Sequence, residues 1–184
     1  MGYQSAKYII ERAGPAAHIA VLDVPSSGSV CVLRKQGFYD YLKEIGYDTS
    51  NIQEFQLESF ARADGQTAAA DILEKMPQID AFYSMDDETS IGTILAMKEA
   101  NRMECKAITG GGGCQEYFKI IASDEGKAIG AASALYSPAM IQDAIKVAIK
   151  VLNGEEAPAE TIIPTTIVSA ENVEQHLDPS NNVY

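Results

Sequence analysis

Tryptophan is absent from the 184 residues, histidine occurs twice and cysteine three times. Cys31, Cys105 and Cys114 are an odd set with no Cys-x-x-Cys or Cys/His spacing, so neither a disulfide framework nor a zinc site is indicated. His18 and His176 stand at opposite ends of the chain, which leaves a Ser-His-Asp constellation without support. Basic residues are also scarce, 14 against 26 acidic, for a net charge of −12. A phosphate-backbone partner needs a basic footprint, so nucleic acid is not expected as a partner. No apolar run approaches the roughly 18 residues of a membrane span. No signal-peptide pattern opens the chain. No catalytic pair, metal set or cofactor motif stands out, so an enzyme is not expected.

What is present is a foldable core, since 46% of the residues are hydrophobic. Short apolar runs alternate with helical patterns. Helices are expected over 3–13, 30–45, 64–75, 88–100, 115–123 and 138–152; strands over 18–23, 52–57, 81–84, 106–109, 128–134 and 161–168. In the helix over 30–45, Leu33, Gly37, Tyr41 and Ile45 share one face. Asn153 and Gly154 cap the last long helix, and Pro138 suits its first turn. This alternation predicts an α/β fold: a doubly wound parallel sheet with helices on both faces and right-handed crossovers. The strand ends then gather along one edge, where such sheets hold ligands.

Each strand end carries something polar or flexible. Asp23 precedes Ser26-Ser27-Gly28-Ser29, Ser59-Phe60-Ala61-Arg62 follows the second strand, and Asp86 and Asp87 end the third. Glycines fill 110–113, and Tyr136-Ser137 follows the fifth strand. Arg34, early in the first crossover helix, reaches the same edge. A planar guanidinium beside a carboxylate and an aromatic ring suits a sugar or polyol, whose vicinal hydroxyls match forked donors and whose apolar face a ring can cover. Each residue also has a plainer reading. Asp86 and Asp87 are both good helix caps; Arg34 could be a solvated helix residue, and Phe60 and Tyr136 could belong to the core. The glycine run could approach a ligand closely or be a flexible loop. As a phosphate cradle it lacks Gly-x-Gly-x-x-Gly phasing and the Lys-Ser/Thr of a P-loop. The order of Asp23 and the Asp86-Asp87 pair is wrong for a phospho-receiver domain. The helix over 138–152 and the strand after it exceed what one layered domain needs.

Several of these stretches together resemble a known family. Arg34-Lys-Gln-Gly-Phe38 after a serine-rich loop, Ser59-Phe-Ala-Arg62, Asp80-Ala-Phe-Tyr-Ser-Met-Asp-Asp-Glu88 with Gly92, Tyr136-Ser-Pro138, Leu152-Asn-Gly-Glu155 and Val168-Ser-Ala-Glu-Asn-Val173 are similar to type I periplasmic sugar-binding proteins. They are most similar to the ribose-binding branch that serves ABC transporters. The resemblance spans essentially the whole chain. It implies two α/β lobes joined by three crossing strands that close on a sugar, with this chain the rear portion. Residues 1–136 would be the C-terminal lobe, 137–160 the helix that crosses back to the other lobe, and 161–184 the last hinge strand and tail.

Carried over by position, the ligand-binding residues are Arg34, Phe60, Asp86, Gly112 and Tyr136, with Asp87 left as the helix cap. Gly112 stands where the family usually has the Asp of Gly-Phe-Asp-Gly, a loss of charge-assisted hydrogen bonds of roughly 1.5–3 kcal/mol. A ligand other than the common pentose is therefore expected. The implied partners are a sugar or polyol and an ABC permease, and the implied location is extracytoplasmic, in the periplasm or as a cell-surface lipoprotein. The apolar face of the helix over 138–152 (Ile141, Ile145, Ala148, Ile149, Leu152) would pack on its own lobe or on a second copy in a swapped homodimer. Two other functions fit the same pattern: the sugar-sensing domain of a LacI-type transcriptional regulator, and a small flavodoxin-like enzyme using the glycine run for phosphate.

Overall fold

The structure is a computed structural model that describes residues 1–136 and 140–181. Its elements run α1 (Gly2–Ala13), β1 (Ile19–Asp23), α2 (Ser29–Glu44), β2 (Ile52–Gln56), α3 (Arg62–Lys75) and β3 (Ala81–Tyr83). They continue with α4 (Asp87–Glu99), β4 (Ala107–Gly112), α5 (Gln115–Ala122), α6 (Asp124–Ala128), β5 (Ala131–Leu135), α7 (Met140–Leu152) and β6 (Thr166–Val168). Among the described residues the strands form one sheet in the order β2-β1-β3-β4-β5-β6. All neighbours are parallel except β6, which runs antiparallel to β5. The expected doubly wound α/β sheet is therefore what forms.

Every residue of β1, β3 and β4 is buried, as strands covered by helices on both faces must be. The edge strand β2 is mostly open to solvent. Helix α1 packs with α2, and α4 with α3 and α5. With right-handed crossovers, that puts the first pair on one face and the other three on the opposite face. Phe38 of α2 lies flat on Tyr83 of β3, with ring centroids 4.5 Å apart and 7° between planes. Both are fully buried, each contributing about 1.5–3 kcal/mol through burial alone. The contact sets the height of α2, and hence of Arg34, above the sheet edge. The α1–α2 crossing is close as well: a Cβ at Gly2 would overlap the Arg34 carbonyl.

Four local expectations change. In α2 the core is met by Cys31, Phe38 and Leu42, while Leu33 and Ile45 of the expected face are exposed. Gly37 and Tyr41 of that face pack against α1, with Tyr41 edge-on to Tyr3. A helix between a sheet and a second helix carries two stripes, and periodicity alone does not say which faces which. The glycines at 110–112 are strand and not loop, because they continue β4 past the end of β3 and pair with Ser133, Ala134 and Leu135 of β5. Ser123 caps the unexpected α6 by accepting from Gly126 N at 3.0 Å, which delays β5 to Ala131. The last strand contracts to Thr166–Val168, because Pro164 has no N–H to donate to a ladder.

Helix α7 has no buried residue, and Ile141, Ile145 and Ile149 are each more than half exposed. Packing on its own lobe is thus not seen. Instead, a groove of about 560 Å³ lies between α7 and the segment 158–163, lined by residues that include Met140, Ile141, Ala144, Val147, Pro158 and Ile163. The expected first-turn Pro138 lies outside the described residues.

Candidate ligand-binding site

The strand register puts Asp23, Tyr83, Gly112 and Leu135 at one edge of the sheet. Arg34 reaches this edge from the second turn of α2. Its Nη1 donates to the Met85 carbonyl at 2.8 Å, and its guanidinium carbon lies 5.7 Å from the ring centroids of both Phe60 and Tyr136. Two rings and one carbonyl thus hold a planar cation in place, with each ring contact worth about 0.5–2 kcal/mol. Arg34, Phe60 and Tyr136 come from α2, the loop after β2 and the residue after β5, and the fold brings the three together.

The Met85 carbonyl was not legible as a site group. Met85 is buried and has φ 63°, a left-handed conformation uncommon for a side chain of its size. Strain of this kind gathers at functional sites. Here it turns the chain from β3 into α4 and aims the carbonyl at Arg34.

The helix cap expected of Asp87 is supplied by Asp86 instead. Asp86 is the cap: its extended backbone (φ −142°, ψ 149°) lets Oδ1 accept from Glu88 N at 2.9 Å. Asp87 is already helical and only 1% exposed, with its carboxyl group turned into the sheet. Its Oδ2 accepts from Gly113 N (2.7 Å), Cys114 N (2.8 Å) and Ser133 Oγ (2.9 Å). Asp86 stays half-buried beside the cleft and forms no ion pair among the described residues. Burial first, then the neighbouring Asp87 and Glu88 charges, push its pKa up to about 6 against the Glu88 N–H and Arg34.

Gly112 ends β4 opposite Leu135, with φ 134°. L side chains rarely adopt that backbone, so this cleft position is built for glycine and carries no carboxylate. The glycine run does not offer free N–H groups for a phosphate, because Asp87 takes those of Gly113 and Cys114. Two other strand-end groups are engaged within the chain. Lys35 pairs with Asp23 (2.7 Å) and Glu54 (3.0 Å). Arg62 at the head of α3 pairs with Glu88 (3.0 Å) and Glu116 (2.7 Å). Beside Arg34 lies a cavity of about 290 Å³ lined by Met1, Gly2, Val30 and Leu33, an apolar rim that no polar strand-end pattern signals. Among the described residues no cluster of three or more His, Cys, Asp or Glu could hold a metal ion.

Residues 1–156 match the family model described as periplasmic binding protein domain. The chain belongs to that family. Solved structures of periplasmic binding proteins share its fold. An ABC transporter solute binding protein from Mycobacterium smegmatis with bound glycerol has 26% identity and a TM-score of 0.82, over 100% of this chain and 62% of that one. A periplasmic solute binding protein from Actinobacillus succinogenes 130z with bound D-allose has 20% identity and a TM-score of 0.81, over 95% and 60%. An ABC transporter solute binding protein from Bacillus halodurans C-125 with bound myo-inositol has 22% identity and a TM-score of 0.76, over 95% and 59%. The chain therefore spans about 60% of the length of the solved binding proteins it matches. No curated protein matches it at a significant level. The likeness to the type I sugar-binding fold read from the sequence is that of a true family member.

Proposed function

We propose that this chain is the C-terminal part of an ABC transporter solute-binding protein that takes an unmodified sugar or polyol. One observation carries the reading: the Arg34 guanidinium held between Phe60 and Tyr136, on the same sheet edge as the half-buried Asp86, which has no ion-pair partner among the described residues. A fixed fork of donors, a carboxylate acceptor and ring faces match vicinal hydroxyls and an apolar sugar face. The bound sugar and polyols of the solved relatives agree with that class. With Gly112 in place of an acid, Asp86 is the ligand carboxylate of this lobe.

In this reading residues 1–136 form one jaw, 137–160 reach toward a second lobe, and 161–184 return as hinge strand and tail. Ligand hydroxyls bridge the lobes, the closed state is favoured by those differential contacts, and a membrane permease reads it outside the cytoplasm. Half of the clamp is then missing from residues 1–184, so calorimetry with a panel of sugars and polyols should detect negligible binding to this chain alone. Tight binding by it would overturn the two-lobe mechanism. In a longer natural chain that contains this segment, a thermal-shift screen of the same panel should yield a ligand. Arg34→Ala should then weaken that ligand roughly 100-fold, the equivalent of two charge-assisted hydrogen bonds. A ligand bound equally well by Arg34→Ala would move the site elsewhere. The sequence upstream separates this role from that of a transcriptional regulator, since a helix-turn-helix there would favour the latter.

The uncovered isoleucine stripe of α7 fits the same picture. We assign its apolar face to the second lobe in a complete protein, and to a second copy of the chain when that lobe is absent.

A further inference from the structure

The head of α5 has the makings of an anion site. The N–H groups of Gly113 and Cys114 converge there, next to glycine backbone with φ 134° and 107°. In this chain the position is filled from within. Asp87 Oδ2 takes both N–H groups and the Ser133 hydroxyl, while its buried Oδ1 has no partner at hydrogen-bonding geometry among the described residues, the Gly111 N–H only adding to the donors that favour its charged form. Gly110 on β4 makes room for this carboxyl group, since a Cβ there would collide with Asp87 Oδ1 and lie 2.7 Å from Ser90 Oγ. One side chain thus joins the end of β3, the end of β4 and the middle of β5. Burial raises the pKa of Asp87, and the Cys114, Ser133 and Gly113 donors act against that rise. The titratable groups that sense its charge are Asp86 beside it and Cys114 and Tyr117 across from it.

We propose that Asp87 is a positioning residue of the cleft: a built-in acceptor that holds the 112–114 backbone in register with Asp86. This deepens the sugar-binding reading, and it rests on that reading only in calling Asp86 and Gly112 cleft positions.

The test uses the 184-residue chain, with Asp87→Asn, Asp87→Ala and Gly110→Ala. Amide hydrogen exchange should show Gly113 and Cys114 losing roughly tenfold or more of their protection in Asp87→Ala, while β1 amides keep theirs. Asp87→Asn should retain that protection, because its amide oxygen still accepts, yet should lower the Asp86 titration midpoint below about 6 by removing a neighbouring charge. Formate, compared with chloride at matched ionic strength, should raise the melting temperature of Asp87→Ala and leave that of the wild type unchanged. Wild type stabilised by formate as much as Asp87→Ala, or full protection of Gly113 in Asp87→Ala, would overturn the proposal. Should Asp87→Ala fail to fold, Gly110→Ala crowds the same carboxyl group from the next strand, and unchanged Gly113 protection there would overturn it equally. No sugar enters these measurements, so a failed ligand screen would count against the proposed function alone.

Discussion

Asp86 and Asp87 are neighbours with the same functional group, and the fold gives them opposite surroundings. Asp86 caps α4 at the cleft, and Asp87 is a pin inside the sheet. The Asp86 pKa stands at about 6 instead of 3.8, mainly through burial, so the folded chain holds that proton more tightly than the unfolded chain does. The destabilising effect of the charge is therefore full above about pH 6 and fades as the pH falls toward 4. Asp86→Asn keeps a good cap and removes the titration. It should be more stable than wild type by about 1–3 kcal/mol at pH 7, with the difference vanishing near pH 4. Urea midpoints across that window would measure it, and a less stable variant at pH 7 would mean that the charge is compensated. Arg34, Phe60 and Tyr136 were legible as residue types at strand ends. Their meeting at 5.7 Å was not, because no local pattern relates three segments separated by whole crossovers.

Three helix heads on the cleft side are tied by one side chain. Arg62 of α3 forks to Glu88 of α4 and Glu116 of α5. All three groups are a third or more exposed, so solvent screens the pairs. Arg62→Gln is expected to cost under about 1 kcal/mol, a difference that should shrink in high salt as the Debye length contracts. Thermal melts at low and high salt decide this, and a salt-independent loss would point to packing by the arginine stem instead. Helix α2 shows why element existence was readable and element orientation was not. Its apolar residues form one stripe for the sheet and another for α1, and each satisfies helical spacing. The glycines of β4 mislead for a related reason: their composition suggests a loop, while ladder partners on β5 and the crowding at Gly110 make them strand.

At the scale of the molecule, α7 is out of balance. Ile141, Ile145 and Ile149 repeat every four residues along a helix that buries none of them. Sedimentation of residues 1–184 should show self-association that grows with concentration. Ile141→Lys combined with Ile149→Lys should abolish it without lowering the melting temperature, since neither side chain touches the core of the lobe. A chain that stays monomeric at high concentration, with α7 readily cleaved by protease, would count against pairing through this face. The amphipathic period of α7 was plain in the sequence. What lies against it could not be, because an apolar face specifies burial and not its partner.

By itself the sequence determined the alternation of strands and helices, the parallel sheet, the edge at which polar groups collect and the residue types gathered there. Those follow from hydrophobic period, turn chemistry and the handedness of crossovers, all of which are local or nearly so. The tertiary structure decided which of two adjacent acids caps and which pins, that β6 runs antiparallel, and that Met85 offers a carbonyl to Arg34. Each of these depends on what another strand or helix brings within about 3 Å, and hydrogen-bond geometry of that reach exists only once the chain has closed on itself.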